Sequence, residues 1–300
     1  MKFDNIKKVD LVGVKFDLGA ATTGVDLGPY AIRYAGVMDG IAELGYDYED
    51  KGDLEPIKAG SSAPGLKNLD QVKDINQKVY KSVLESHKSG NFPVIMGGDH
   101  SIAAGSITAT ASHFNKIGII WFDAHGDWNN SESSPSGNMH GMPFSAVCGK
   151  GPDEMVDYGQ EKCFVDTNNC VQIGGRDIDP MERIRMREHG VTVFSIADID
   201  RLGMPEVIKQ ALEIVNNGTD GFHLSFDVDG VTPDSAPGTG TRVYGGLTIR
   251  ESFLFVEECA KSGKMLALDM VEVNPMLDVK NQTGQLASEM ILSALGKTVY

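Results

Sequence analysis

The sequence predicts one α/β domain built on a mostly parallel sheet. Three observations carry this. Short β-branched runs alternate with amphipathic stretches over all 300 residues. Several runs are almost wholly apolar, as strands covered on both faces are. No low-complexity linker or internal repeat divides the chain, and Ser61-Ser62-Ala63-Pro64-Gly65 is too short to mark a boundary. In order, the expected strands are Val9–Phe16, Pro93–Met96, Ile117–Phe122, Val171–Ile173, Val191–Phe194, Gly221–Phe226 and Met265–Met270. Between them Val72, Ile75, Val79 and Val83 fall on one helical face, as do Val207, Ile208, Ala211, Leu212 and Val215. Leu286, Met290, Ile291 and Ala294 form a third face. Asp70 and Asn281 are expected to cap the helices that follow them, and Gly296 to end the last.

Composition excludes several classes. Lys plus Arg total 27 against 42 Asp plus Glu, a formal net charge of −15. Without a basic cluster such a chain repels nucleic acid. No apolar run reaches the ~20 residues of a membrane span. The opening Met1-Lys2-Phe3-Asp4-Asn5 lacks the apolar core of a signal peptide. The expectation is a soluble cytoplasmic protein with no nucleic-acid or membrane partner. Its Cys148, Cys163, Cys170 and Cys259 form no C-x-x-C pair and are read as reduced thiols.

In open α/β sheets ligands sit at the carboxyl ends of the strands. Four of these ends carry acid or imidazole: Gly97-Gly98-Asp99-His100-Ser101, Asp123-Ala124-His125-Gly126-Asp127, Asp227-Val228-Asp229-Gly230 and Val271-Glu272-Val273-Asn274-Pro275. Any one alone could be a turn, since Asp accepts local backbone hydrogen bonds. Together they would gather at least five carboxylates, and cations would relieve that repulsion. In extended backbone the period-two spacing aims Asp123, His125 and Asp127 to one side. The mixed O/N donor set suits Mn²⁺, with Fe²⁺, Co²⁺ or Ni²⁺ possible, and excludes a thiolate Zn²⁺ site. Bridging carboxylates would let four Asp and two His hold two ions about 3.5 Å apart, the arrangement of a binuclear metallohydrolase.

With Ser136-Gly137-Asn138-Met139-His140-Gly141, and with the last two extended to Ser225-Phe226-Asp227-Val228-Asp229-Gly230 and Met270-Val271-Glu272-Val273-Asn274-Pro275, these segments resemble the ureohydrolase family, and within it the bacterial-type arginase branch. They follow its order and approximate spacing across most of the chain, and Gly24-Val25-Asp26-Leu27-Gly28-Pro29 is similar to its opening segment. The resemblance implies a three-layer α/β/α sandwich with a central mostly parallel sheet (arginase/deacetylase-like), one ureohydrolase domain over residues 1–300, and a homotrimer or homohexamer. It implies two Mn²⁺ per chain, one on His100, Asp123, Asp127 and Asp227, the other on Asp123, His125, Asp227 and Asp229. It further implies that His140 shuttles protons, a task suited to a pKa near neutrality. Asp127 would relay a proton to the leaving amine, and Glu272 would pair with the substrate guanidinium. The reaction implied is hydrolysis of L-arginine to L-ornithine and urea. Agmatinase, or another guanidino or formimino amidinohydrolase, is the alternative.

Agmatine is arginine without its α-carboxylate, so recognition of the α-groups separates these substrates. Asn129, Ser134, Ser136 and Asn138 match positions around the α-carboxylate. Asp179 matches the partner of the α-amino group and Glu182 an acid behind it, and Thr241 belongs with the substrate-binding residues. The resemblance thereby favours arginine. Trp128 stands where an aliphatic residue is usual, Asn130 where Thr is usual and Arg242 where Pro is common. Trp128 is read as packing, Asp99 as a residue that orients His100 or caps the next helix, and the thirteen methionines as core fillers. His87, His113, His189 and His223 match no motif and are read as surface or satisfied core residues. A glycosyltransferase using Asp227-Val228-Asp229 leaves His100 and Asp123–Asp127 unexplained. A non-catalytic binder would normally have lost a ligand.

Overall fold

Parallel strands need long crossovers, and the amphipathic stretches supply them. The computed structural model describes residues 6–161 and 163–298; the Met1–Asn5 opening lies outside the described residues. The strands are β1 (Val9–Val14), β2 (Tyr48–Leu54), β3 (Phe92–Met96), β4 (Ile117–Phe122), β5 (Cys170–Gly175), β6 (Thr192–Ser195), β7 (Gly221–Asp227) and β8 (Met265–Val271). They form one sheet, ordered β2-β1-β3-β8-β7-β4-β5-β6, with every neighbouring pair parallel. The helices are α1 (Gly28–Tyr34), α2 (Val37–Glu43), α3 (Leu69–Ser89), α4 (Ala103–His113), α5 (Pro143–Val147), α6 (Pro180–Glu188), α7 (Ile196–Leu202), α8 (Met204–Val215), α9 (Ile249–Lys261) and α10 (Gln282–Ala294).

Strand alternation splits the buried side chains into two cores. Ile120 and Phe122 join one with residues of α1, α2 and α7–α10. Ile119 and Trp121 join the other with residues of α3–α6. A sheet buried on both faces between helices is the expected three-layer sandwich. The four motif-bearing strand ends belong to β3, β8, β7 and β4, which are consecutive neighbours at the centre of the sheet.

Several local expectations change. β2 was not anticipated: it is a charged, largely exposed edge strand, Tyr-Glu-Asp-Lys-Gly-Asp-Leu, with no apolar face to betray it. β1 stops at Val14, short of Phe16. Asp70 does not cap α3; Asn68 holds that position, and Asp70 instead accepts from Ser61 N at 2.8 Å and Ser61 Oγ at 2.6 Å. Asn281 sits at the start of α10 but makes no cap hydrogen bond, its amide donating to Ala31 O at 3.0 Å. Gly296, at φ 98°, follows the last turn of α10 as expected. Met181 and Met276 are exposed, whereas most methionines are core. The four cysteines are free. No helix among the described residues is long and apolar enough to cross a membrane.

Candidate metal centre and active site

Each strand end is shaped to deliver its side chain. After β3, Gly98 lies against the Phe16 backbone, where a Cβ would collide. Asp99 then caps the His100–Ile102 turn, accepting from Ser101 N at 3.0 Å, and accepts from Gly19 N at 2.7 Å. This sets His100 among the ends of β4 and β7. Its Nδ1 lies 3.0 Å from Asp123 Oδ2, 3.2 Å from Asp127 Oδ2 and 3.2 Å from Asp227 Oδ2. His125 Nδ1 lies 3.0 Å from Asp229 Oδ2 and 3.3 Å from Asp123 Oδ1. Backbone amides fix the acids: His125 N donates to Asp123 Oδ1 at 2.7 Å, Ala124 N to Asp229 Oδ1 at 3.1 Å and Asp229 N to Asp227 Oδ1 at 2.7 Å.

The donors fit divalent cations. His100, Asp123 and Asp227 bring ligand atoms within 4.8 Å of one another, and so do Asp123, His125 and Asp229. The buried Nδ1 of His100 has no hydrogen-bond partner although three carboxylates face it. That is the geometry of a lone pair awaiting a shared ion rather than of a satisfied core histidine. Asp123 belongs to both groups, as a bridging ligand must.

Charge crowding shifts the acids apart. Burial and the Asp123 charge raise Asp127 to about 6, against the opposing pull of His100 and His125. Burial, with Asp229 and Asp123, lifts Asp227 well above the usual carboxylate range, and burial likewise raises Asp229. Burial also acts on Asp123, but His100 and His125 outweigh it and hold Asp123 low. His140 Nδ1 lies 3.3 Å from Glu272 Oε1. Burial opposes its protonation, yet the Glu272 hydrogen bond and charge prevail and raise it to about 9, above the near-neutral range expected for a shuttle.

The pocket above this cluster is lined by His100, His125, Asp127, Asp227 and His140 at its floor, with Thr241 beside them. Asn129, Ser134, Ser136, Asn138, Asp179 and Glu182 line the rest. Asp123, Asp229 and Glu272 lie beneath these walls, each at most 2 % exposed. Thr241 Oγ1 donates to Asp229 Oδ2 at 3.1 Å, so it also steadies an acid. Asn129 donates to Asp179 Oδ2 at 3.1 Å and to Glu182 Oε1 at 3.3 Å. Glu182 also accepts from Trp128 N at 2.6 Å and Asp179 N at 3.1 Å, clasping the two halves of the pocket. Burial and the Asp127 charge raise Glu182 to about 8. Trp128 is packing: it is fully buried, edge-on to Phe144, with its indole N–H donated to His189 Nδ1 at 3.0 Å.

Sequence reading missed the residues that aim the ligands. Trp121 stacks on the His100 ring at 4.0 Å and donates to Asp123 Oδ2 at 3.0 Å. Gln172 donates to the carbonyls of Asp123 and His125 at 2.9 and 3.1 Å. Arg176 donates to Asp229 O at 2.5 Å and to Gly230 O and Val243 O, tying the Asp229 turn to the loop that carries Thr241. Trp121 had a readable signal, since it lies two residues before Asp123 on the same strand face. Arg176 had none, because its partners are backbone atoms.

A parallel sheet whose central strand ends converge two imidazoles and four carboxylates defines an α/β protein of the metal-centre class. The model of the arginase family matches residues 7–296. A Staphylococcus aureus arginase is 43% identical over 98% of both chains, and a Bacillus subtilis arginase 43% identical over 97% of this chain and 98% of its own. The solved structure of Bacillus caldovelox arginase superposes with a TM-score of 0.95 at 41% identity, covering 98% of this chain and all of the other. This chain belongs to the arginase family.

Proposed function

We propose that the chain hydrolyses L-arginine to L-ornithine and urea with two Mn²⁺ bound. One pocket joins a buried imidazole–carboxylate floor to a mouth of hydroxyls, amides and acids, and this observation carries the reading. His100, Asp123, Asp127 and Asp227 hold one ion, and Asp123, His125, Asp227 and Asp229 the other. Manganese is favoured by the hard O/N donor set and by what is general to the family. When bound, such ions would activate water as a nucleophile at neutral pH.

The chain's own residues do the rest. Glu272 receives the guanidinium, a planar fork matched to a carboxylate. Asp127, at the pocket floor beside His100, would take a proton from the nucleophile and pass it to the leaving amine. His140, protonated beside Glu272, exchanges protons with solvent. Asn129, Ser134, Ser136 and Asn138 receive the α-carboxylate, and Asp179, backed by Glu182, the α-amino group. Thr241 closes the side of the pocket nearest Asp229. The whole chain acts as one domain, in the cytoplasm, as a homotrimer or homohexamer. Exposed Tyr30, Tyr34, Tyr244 and Met276 offer apolar surface for self-association.

The test is urea or amine release from a substrate panel with Mn²⁺ and elemental analysis of the protein. L-Arginine is expected to outpace agmatine, guanidinobutyrate and formiminoglutamate. Faster agmatine turnover would overturn the substrate assignment, and no turnover of any of them with two Mn²⁺ per chain would overturn the activity.

A further inference from the structure

The turn that precedes α3 is pressed against the mouth of the pocket and has no part in the reaction described. Ala63 and Leu66 exchange backbone hydrogen bonds at 2.9 Å, Asn68 N donates to Ser62 Oγ at 2.9 Å, and Lys67 N donates to Gly137 O at 3.0 Å. Gly65, at φ 70°, lies so close to Ser131 O that a Cβ would collide with it. Backbone contacts thus fix this turn on the 131–137 loop, and they set Lys67 Nζ 3.1 Å from Asn138 Oδ1. Lysine can only donate, so it takes the amide oxygen and leaves the amide N–H₂ as the branch open to a ligand. Asn138 lines the pocket, and its N–H₂ donates to no described residue.

The charges around this contact give it a meaning. Asp177 and Asp179 line the pocket outside the proposed metal-ligand set, while no described lining residue is Lys or Arg. An α-carboxylate entering there meets charges of its own sign. Lys67 is the cation one amide behind the wall, and it pairs with no described carboxylate. We propose that Lys67 is a specificity-determining residue: it turns Asn138 to donate, and it supplies the positive charge by which the pocket mouth prefers a substrate carrying an α-carboxylate. The inference rests on the arginine reading above and deepens it. A unit charge at that range, in partly aqueous surroundings, is worth about tenfold in affinity.

The experiment compares Mn²⁺-loaded wild type with Lys67→Met, which keeps the stem but removes charge and donor, and with Lys67→Arg, which keeps both. It measures KM and kcat for L-arginine, and competitive inhibition by L-ornithine and by putrescine, which is ornithine without its carboxylate. Lys67→Met is expected to raise KM for L-arginine and to weaken L-ornithine about tenfold, with kcat and putrescine inhibition within about twofold of wild type. Lys67→Arg is expected to keep L-ornithine inhibition within about threefold of wild type. A turn loosened for merely structural reasons would weaken both inhibitors alike. Should Lys67→Met not fold, Lys67→Gln removes the charge but keeps a donor for Asn138, and it is expected to weaken L-ornithine at least about threefold more than putrescine. Unchanged KM in Lys67→Met, equal loss of the two inhibitors, or a Lys67→Arg variant as weak as Lys67→Met would overturn the role of Lys67 alone. Wild type that turns over agmatine faster than L-arginine would overturn the arginine reading on which that role rests.

Discussion

His87 makes the acid stability of this fold predictable. It is 6 % exposed, its Nε2 lies 3.0 Å from Thr110 Oγ1, its ring stacks on His113 at 5.4 Å and Phe114 meets it edge-on. Burial, then the neighbouring His223 and His113, push its pKa from 6.5 down to about 3. The folded chain thus refuses a proton that the unfolded chain binds below pH 6.5. Stability from this group is complete above that value and is lost as pH falls toward 3. Worked through the linkage relation, His87 alone removes about 2 kcal/mol between pH 7 and pH 5, and about 4 kcal/mol by pH 3. The assay is urea unfolding of wild type and His87→Gln at pH 7 and pH 5. Gln keeps a partner for Thr110 but cannot titrate, and other groups cancel in the comparison. The variant should lose about 2 kcal/mol less than wild type over that interval. Equal pH dependence in the two proteins refutes the reasoning.

Three further outcomes are expected. Asp179→Ala should lower kcat/KM for L-arginine by about 10–100-fold, but hardly affect a substrate lacking the α-amino group, such as 5-guanidinopentanoate; equal losses would remove its α-amino role. Trp121→Phe keeps the stacking on His100 but removes the hydrogen bond to Asp123 Oδ2, and should weaken Mn²⁺ binding by about tenfold in a metal titration. Arg176→Met should cost about 2–4 kcal/mol in denaturant unfolding, because the carbonyls of Asp229, Gly230 and Val243 lose their donors.

What the sequence revealed, and what it hid, follows from range of interaction. Strands such as Ile117–Phe122 declare themselves because burial on both faces demands an unbroken apolar run, and the acids that follow them fall where an α/β sheet places ligands. β2 has an exposed edge and so no such demand. The metal-binding acids were legible because each sits in a short local motif. Gln172 and Arg176 were not, since they act on backbone carbonyls of other segments. Glu182 was legible as an acid behind Asp179; only the structure shows that it also holds Trp128 N from another segment.

Backbone strain gives the site a signature of a different kind. Five described non-glycine residues have left-handed φ, and two of them are Asp127 at 47° and Glu272 at 63°. Such a conformation costs of order 1–3 kcal/mol and persists only where surroundings over-determine it. At both positions they do. Glu272 N donates to Gly98 O at 2.9 Å while its Oε1 accepts from His100 N at 2.9 Å, so one residue is pinned at backbone and side chain by the β3 turn. Asp127 O accepts from Ser145 N at 3.2 Å, and its carboxylate faces His100. Glycine would relieve the strain but would delete the carboxylate. The chain keeps the carboxylate and bears the strain at the two acids assigned here to proton relay and guanidinium binding, which is the trade expected where placing a side chain outweighs local stability.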